Sequence, residues 1–174
     1  PPWAKDVAPL LDGVAEIAAP GALVGTVVAF GPDAFPVILG GAGGVKRVPI
    51  AAAAGWERGR VVVIAHDAFT SAKARDVPGT GRFLQNALRW AAGAGTKSPR
   101  IGVLGADLTM SYGFEVRQLV GPGWEARLSS VDVLVMSGGN PSVDERKSIA
   151  SFVRGGGGLV AGLCPWGWMQ VTRA

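Results

Sequence analysis

The sequence predicts an α/β fold with short antiparallel strands in its N-terminal half and a mainly parallel sheet in its C-terminal half. Between residues 23 and 65, short apolar runs rich in β-branched residues follow one another with only glycine-rich turns between them. Beyond residue 80, strand-like runs alternate with segments of helical periodicity. Short turns join antiparallel neighbours, whereas alternating strands and helices build a parallel sheet with right-handed crossovers.

The chain opens with a predicted amphipathic helix over residues 4–17. Its apolar residues recur at i, i+3, i+4 and i+7, which is the spacing of one helical face. That face consists of Val7, Leu10, Leu11 and Val14. The helix is therefore expected to pack against the sheet.

Four predicted strands follow the helix, and each is bounded by glycine or proline. The glycine-rich cluster at 40–44 precedes a strand rather than a helix, so it lacks the order of a dinucleotide-binding loop and predicts a hairpin turn. The predicted strands are residues 23–30, 35–39, 48–54 and 60–65.

The C-terminal half contains alternating predicted helices and buried strands. Ser142 and Glu145 have the spacing of a capping box, in which each side chain bonds the other residue's backbone N–H at the start of a helix. The predicted helices are residues 83–91, 110–120 and 143–153, and the predicted strands are residues 101–104, 131–136 and 159–163.

Composition and charge exclude several classes of function. The net charge of +4 comes from 17 basic residues scattered among 13 acidic ones. No basic run is interleaved with aromatic residues, so the sequence does not predict nucleic-acid binding. The uncharged run 155–172 is broken by glycine and proline and does not predict a membrane-spanning helix. Cys164 and His66 are the only cysteine and histidine, which excludes an internal disulfide and a two-histidine zinc site. We therefore expect no metal and no cofactor.

Three segments are predicted to meet at the carboxyl edge of the sheet, where sites form in parallel α/β proteins. They begin at His66, at Ser137 and at Gly162. Cys164 follows a strand directly, and a thiol on a sharp strand-to-helix turn is exposed above the sheet. Together with a glycine loop it could form a nucleophile and an oxyanion pocket. The predicted loop residues are Gly138, Gly139, Asn140 and Gly162.

Residues 135–142 and 161–164 resemble the glycine loop and the cysteine of class I glutamine amidotransferases. The resemblance implies a three-layer, Rossmann-like and flavodoxin-like fold, an oxyanion loop and a nucleophile at Cys164. Two features depart from that family. Trp166 stands where a glycine is expected, and no histidine follows Cys164 to form the His-x-Glu pair that activates the thiol.

A second resemblance covers nearly the whole chain. It involves residues 34–37, 51–53, 59–67, 83–90, 155–159 and 166–168. These residues look similar to the N-terminal region of the TRP channel-associated factor family, whose full-length members carry a peptidase M60-like region. That region holds a His-Glu-x-x-His zinc motif, which this sequence lacks. The resemblance implies an amidotransferase-like domain without catalytic activity, attached to other domains or to a protein partner.

His66 has two interpretations. It could act as a general base, even for Cys164 across the sheet, or it could bond loop backbone and order the segment that follows. Asp67 is adjacent in sequence, so the two side chains diverge if the strand continues. Trp166 and Trp168 could form an aromatic wall at the site or pack against further sequence.

The 174 residues predict one domain, a fragment of a longer protein, with halves at 1–78 and 79–174. The leading hypothesis is a non-catalytic accessory or binding domain. The alternative is a cysteine hydrolase or amidotransferase that uses Cys164, with its base supplied by His66 or by further sequence. A single cysteine is compatible with the cytoplasm and equally with an exported protein, so the compartment stays open.

Overall fold

A seven-stranded mixed sheet organises the molecule. The computed structural model describes residues 3–23, 25–42, 45–105, 112–138 and 140–164. The strands lie in the spatial order β1-β2-β3-β7-β6-β4-β5. They are β1 (Ala34–Ala42), β2 (Val45–Trp56), β3 (Gly59–Ile64), β4 (Arg100–Leu104), β5 (Glu115–Gln118), β6 (Val133–Ser137) and β7 (Gly158–Gly162).

The two halves of the chain form one sheet. β1, β2 and β3 pair antiparallel, and the strands from β3 to β5 pair parallel in their spatial order. The α/β class and the division into antiparallel and parallel halves are therefore confirmed. β7, the last described strand, lies between β3 and β6 and joins the halves.

Helices cover both faces of the sheet. The helices are α1 (Ala4–Leu11), α2 (Ala72–Arg75), α3 (Pro78–Ala91) and α4 (Val143–Arg154), with short 3₁₀ helices at Asp67–Thr70 and Trp124–Ser130. Along β6, Val133 and Val135 belong to the core beneath α1 and α3, whereas Leu134 and Met136 pack with α4. This alternation is the period of two that a strand imposes, and it gives the sheet an apolar core on each side.

The predicted capping box of α4 is present. The Ser142 side chain accepts a hydrogen bond from the backbone N–H of Glu145, and the Glu145 carboxylate accepts one from the backbone N–H of Ser142. The first helix is shorter than the predicted 4–17, because it ends at Leu11 and Gly13 has a φ of 69°. No helix in the described parts of the chain is both long and apolar enough to cross a bilayer.

Two predicted elements are wrong. In 23–30, residue 24 is not described and the others form no strand. The Val27 N–H donates to the Pro49 carbonyl of β2, next to the stretch 51–56 that pairs with β3. Within 110–120, residues 110 and 111 are not described, and the rest contains β5 rather than a helix. Phe114 and Val116 recur at the strand period of two and face the core beneath α3.

Gly59 is required where the β2–β3 hairpin passes α4. A Cβ atom at Gly59 would lie 2.0 Å from the Val153 carbonyl oxygen and 2.5 Å from that of Gly157. Gly55 faces Arg60 across the same hairpin and is exposed, with no atom within 4 Å of an added Cβ. The two glycines therefore differ in the space around them.

We expect Gly59→Ala to lower the free energy of unfolding by about 1–3 kcal/mol, because backbone must move to admit the methyl group. Gly55→Ala is the matched control and leaves the stability unchanged or slightly higher. Urea unfolding of both variants measures the difference. Equal stability of the two variants would contradict this packing.

Arg100 and Asp132 join the starting ends of β4 and β6. The Arg100 guanidinium donates to both carboxylate oxygens, at 3.1 Å from Nε and 2.8 Å from Nη2, and the Arg100 backbone N–H donates at 2.8 Å. Hydrogen bonds from Arg100 hold the pKa of the Asp132 carboxyl below its usual value. The ionised carboxylate therefore stabilises the folded chain.

Replacing Asp132 with Asn should lower stability at neutral pH and remove part of its pH dependence. Because the folded-state pKa is depressed, the stabilisation is complete above the unfolded value of about 3.9 and is lost as the pH falls through the folded value. The stability difference between wild type and D132N should therefore shrink below about pH 4. Thermal unfolding from pH 3 to 7 measures this stability difference, and D33N is a control at an exposed aspartate. If the stability difference between wild type and D132N did not change with pH, the charge of Asp132 would have no role.

Candidate functional site

The carboxyl ends of β3, β6 and β7 converge at one edge of the sheet. Ile64, Gly162 and Ser137 lie side by side as the last paired residues of these strands. The Leu163 N–H donates to the Ile64 carbonyl at 3.2 Å, so the chain continues beside β3 toward Cys164. The segments that begin at His66, Ser137 and Gly162 therefore meet as predicted from their positions after strands.

Cys164 and His66 form a side-chain pair at this edge. Their Sγ and Nε2 atoms lie 3.5 Å apart, although the residues are 98 positions apart in sequence. The thiol is half-buried, and 12% of the imidazole is exposed. An imidazole this close to a thiol can accept its proton, so the pair has the geometry of a nucleophile and a base.

Asp67 turns back onto His66. Its Oδ1 lies 2.8 Å from the imidazole Nδ1, contrary to the expectation that the two side chains diverge. β3 ends at Ile64, and a 3₁₀ helix begins at Asp67, so the alternation of an extended strand does not apply to this pair. The spatial order from Cys164 through His66 to Asp67 matches that of a cysteine, histidine and carboxylate triad.

Two groups among the described residues compete for the imidazole Nδ1. It lies 2.9 Å from the backbone N–H of Ala68, which donates to it when Nδ1 carries no proton. With a proton, Nδ1 donates to the Asp67 carboxylate instead. Only the tautomer with its proton on Nδ1 has a lone pair on Nε2 that can accept the thiol proton of Cys164. In that tautomer the hydrogen bond to Asp67 is present before the transfer, and it stabilises the imidazolium that forms.

Gly162 allows the 3₁₀ helix to approach β7. A Cβ atom there would lie 3.0 Å from Asp67 Cα and 3.3 Å from the His66 carbonyl oxygen. The buried Thr70 hydroxyl donates to the Asp67 carbonyl at 2.7 Å and lies 3.0 Å from the Ser137 hydroxyl. Thr70 and Ser137 thus fix the helix against β6. No local sequence pattern indicated Thr70, because its partner Ser137 lies on a distant strand.

The glycine loop is only partly available for an oxyanion. Gly138 has a φ of 64°, which favours glycine, and its N–H donates to the Gly162 carbonyl at 3.2 Å. That N–H is therefore already used in this conformation. Asn140 is exposed, and the predicted residues Gly139, Trp166 and Trp168 lie outside the described residues.

A hollow of about 390 Å³ opens beside the loop, at the ends of β4 and β6. Glu145 on its wall accepts hydrogen bonds from the Trp124 indole and from the Ser142 backbone, each at 2.7 Å. The bonds from Ser142 and Trp124 lower the pKa of the Glu145 carboxyl. This hollow is lined by Leu104, Gly105, Trp124, Met136, Ser137, Gly138, Asn140, Pro141 and Glu145, without Cys164 or His66.

His66, Asp67 and Cys164 also form the one group of potential metal ligands found among the described residues. One ligand atom from each lies within 4.8 Å of the others. Cys164 faces Nε2, however, and Asp67 faces Nδ1 on the other side of the ring. An ion bound beside Cys164 would therefore have two protein ligands from this group, the thiolate and Nε2. A structural or catalytic zinc site uses more, so the arrangement fits a proton-transfer pair better than a metal centre.

The family model TCAF_N, described as "TRPM8, N-terminal domain", matches residues 2–174. The chain belongs to the TCAF_N family. It is 33% identical over 170 residues to TRPM8 channel-associated factor 2 of Bos taurus, covering 94% of this chain and 17% of that protein. It is 29% identical over 167 residues to the TRPM8 channel-associated factor homolog of Danio rerio, covering 95% and 17%. The predicted family is confirmed.

This TCAF_N chain spans about a sixth of the length of the curated relatives that it matches. Its fold is similar to part of the IMPa metallopeptidase from Pseudomonas aeruginosa, with a TM-score of 0.64 and 19% identity over 92% of this chain and 19% of that one. The same values apply to IMPa in complex with an O-glycopeptide. These likenesses concern the fold of the TCAF_N domain.

The thiol and imidazole pair predicts that His66 controls the reactivity of Cys164. We expect His66→Gln to slow alkylation of the folded chain by iodoacetamide at pH 7 by at least about tenfold, because the variant lacks a group that takes the thiol proton. Cys164 is the only cysteine, so mass spectrometry reports on this site alone.

Ser129→Ala is a control, because it removes an exposed hydroxyl that is distant in sequence from both His66 and Cys164. Equal alkylation rates in urea would show that the reagent reaches all variants alike. A His66→Gln variant that reacts as fast as wild type in the folded state would show that the contact has no effect on the thiol.

Proposed function

We propose that this TCAF_N domain is a non-catalytic accessory domain that binds another domain of a longer protein or a separate protein partner. The observation that carries the proposal is that almost the whole chain aligns with only about a sixth of each curated relative. Those relatives are named channel-associated factors, a name that describes association rather than a reaction. Association with other domains or proteins is the simplest role for a domain that corresponds to about a sixth of each longer relative.

The proposal includes descent from a class I glutamine amidotransferase-like fold. Support comes from Cys164 directly after a central parallel strand and from the glycine loop after the neighbouring strand. The use of the Gly138 N–H within the sheet edge favours a site that has lost amidotransferase activity. A catalytic cysteine needs both a base and oxyanion donors.

One observation favours a second candidate, a cysteine hydrolase. The 3.5 Å contact between Cys164 Sγ and His66 Nε2, with Asp67 beside Nδ1, would supply a base from upstream sequence instead of a downstream His-x-Glu pair. In that role Cys164 would attack an amide or ester carbonyl, and His66 would pass the thiol proton to the leaving group. Water would then release the acyl group from the sulfur.

Hydrolysis by the purified chain distinguishes the two candidates. L-glutamine, p-nitrophenyl acetate and a short peptide amide would be incubated with wild type, Cys164→Ala and His66→Gln. The accessory role predicts that wild type shows no more repeated turnover than Cys164→Ala on any substrate. The hydrolase predicts turnover that Cys164→Ala abolishes and that His66→Gln lowers by about 10²–10⁴-fold, the usual contribution of a general base.

Repeated turnover is the decisive readout. A single equivalent of released p-nitrophenol would report only an acylated thiol and would leave the accessory role standing. Many equivalents released per chain, lost in Cys164→Ala, would overturn it. Circular dichroism of both variants would establish that they are folded like the wild type.

A further inference from the structure

We propose that Arg75 and Tyr112 form a binding site for an oxyanion, meaning a carboxylate or phosphate group, separate from the Cys164 and His66 pair. The two residues lie on different segments that pack on α3, and each carries a buried polar group without a hydrogen-bond partner among the described residues. Their combination of a guanidinium and a phenol defines the class of ligand.

Arg75 is the buried cation of the site. It ends α2, and 8% of the residue is exposed. Its Nε donates to the Ser71 carbonyl at 3.3 Å, which leaves the outer edge of the guanidinium for another partner. Nη1 and Nη2 are both closed to solvent and meet no acceptor in the described parts of the chain. Water in bulk solvent therefore cannot satisfy them.

Tyr112 supplies a second donor in the same region. Its hydroxyl is also buried and unpartnered among the described residues. Burial raises the pKa of Tyr112 to about 12, while the charge of Arg75 acts in the opposite direction, so the guanidinium is near enough to influence the phenol. At neutral pH the hydroxyl is protonated and can donate a hydrogen bond.

Helix α3 holds the two residues close to each other. A Cβ atom at Gly81 would lie 2.8 Å from the Arg75 carbonyl oxygen and 3.9 Å from Tyr112 Cε1, so both residues flank one glycine. Gln85, one turn further along α3, donates from Nε2 to the Tyr112 carbonyl at 3.3 Å. Tyr112 has a φ of 45°, a conformation that a bulky residue adopts only when its surroundings impose it.

The buried guanidinium meets no acceptor among the described residues at its outer nitrogens, which favours an anionic ligand. A buried guanidinium without a partner is strongly unfavourable, and its planar N–H groups match the two oxygens of a carboxylate or phosphate. Asp76 follows Arg75 directly but is exposed, and the structure gives it no hydrogen bond to the guanidinium. An oxyanion that accepts from Nη1, Nη2 and the Tyr112 hydroxyl would satisfy all three donors at once.

Titrations with sodium phosphate and with sodium acetate test the site in the whole chain, with sodium chloride at equal ionic strength as the reference. We expect a saturable rise in the unfolding temperature with at least one of the two oxyanions, because a ligand that binds only the folded state stabilises it. Phosphate and acetate as separate arms distinguish the two kinds of oxyanion.

Tyr112 is the only tyrosine, so ring signals from a tyrosine-labelled sample report on this site alone. We expect these NMR signals to shift with the same midpoint as the thermal effect. Arg75→Gln and Tyr112→Phe should each weaken binding, the former by at least about tenfold, because one charge-assisted hydrogen-bonding group is lost. Lys73→Gln removes the same charge from an exposed position of α2 and should bind like wild type.

Arg75→Lys keeps the charge and provides a folded variant if Arg75→Gln fails to fold; it should also bind more weakly, because the planar donor edge is lost. The proposal would be overturned if phosphate and acetate raised the unfolding temperature no more than chloride does and left the tyrosine NMR signals unshifted.

Discussion

The parallel pairing of β7 with β3 and β6 is the interaction on which the rest of the structure depends. β3 belongs to the antiparallel half and β6 to the alternating half, and β7 forms ladders with both. Val160 faces the core beneath α3, and its neighbour Ala161 faces α4. One strand of five residues thus fixes the relative position of both cores and of the two segments that carry His66 and Cys164.

The absence of a side chain at Gly162 turns this pairing into a site. Because Gly162 has no Cβ, the 3₁₀ helix of Asp67–Thr70 rests directly on the end of β7. The hydroxyls of Thr70 and Ser137 then join this helix to β6. Main-chain packing therefore holds Cys164 and His66 in contact. The same packing would be compatible with a binding domain and with an enzyme.

Two arginines illustrate how burial changes what a charge requires. The side chain of Arg100 is 42% exposed and nevertheless forms several hydrogen bonds with Asp132. Arg75 is far more buried, yet its outer nitrogens meet no acceptor in the described part of the structure. Leaving a charge unpaired costs more free energy at a buried position such as Arg75 than at an exposed one such as Arg100. The missing partner of Arg75 among the described residues therefore indicates a ligand.

Local signals in the sequence determined much of this protein: the α/β class, the antiparallel and parallel halves, the capping box at Ser142 and Glu145, and the positions of Cys164 and His66 after strands. These follow from periodicity and from side chains that bond their own neighbours. The tertiary structure decided what depends on distant partners. Residues 25–30 contact β2 at Pro49 without forming a strand, since β3 pairs with the rest of that edge. Glu115–Gln118 becomes an edge strand because β4 pairs with it, and Asp67 reaches His66 because β3 ends at Ile64. No local pattern encodes such contacts, since they arise only when the order and register of the strands are fixed.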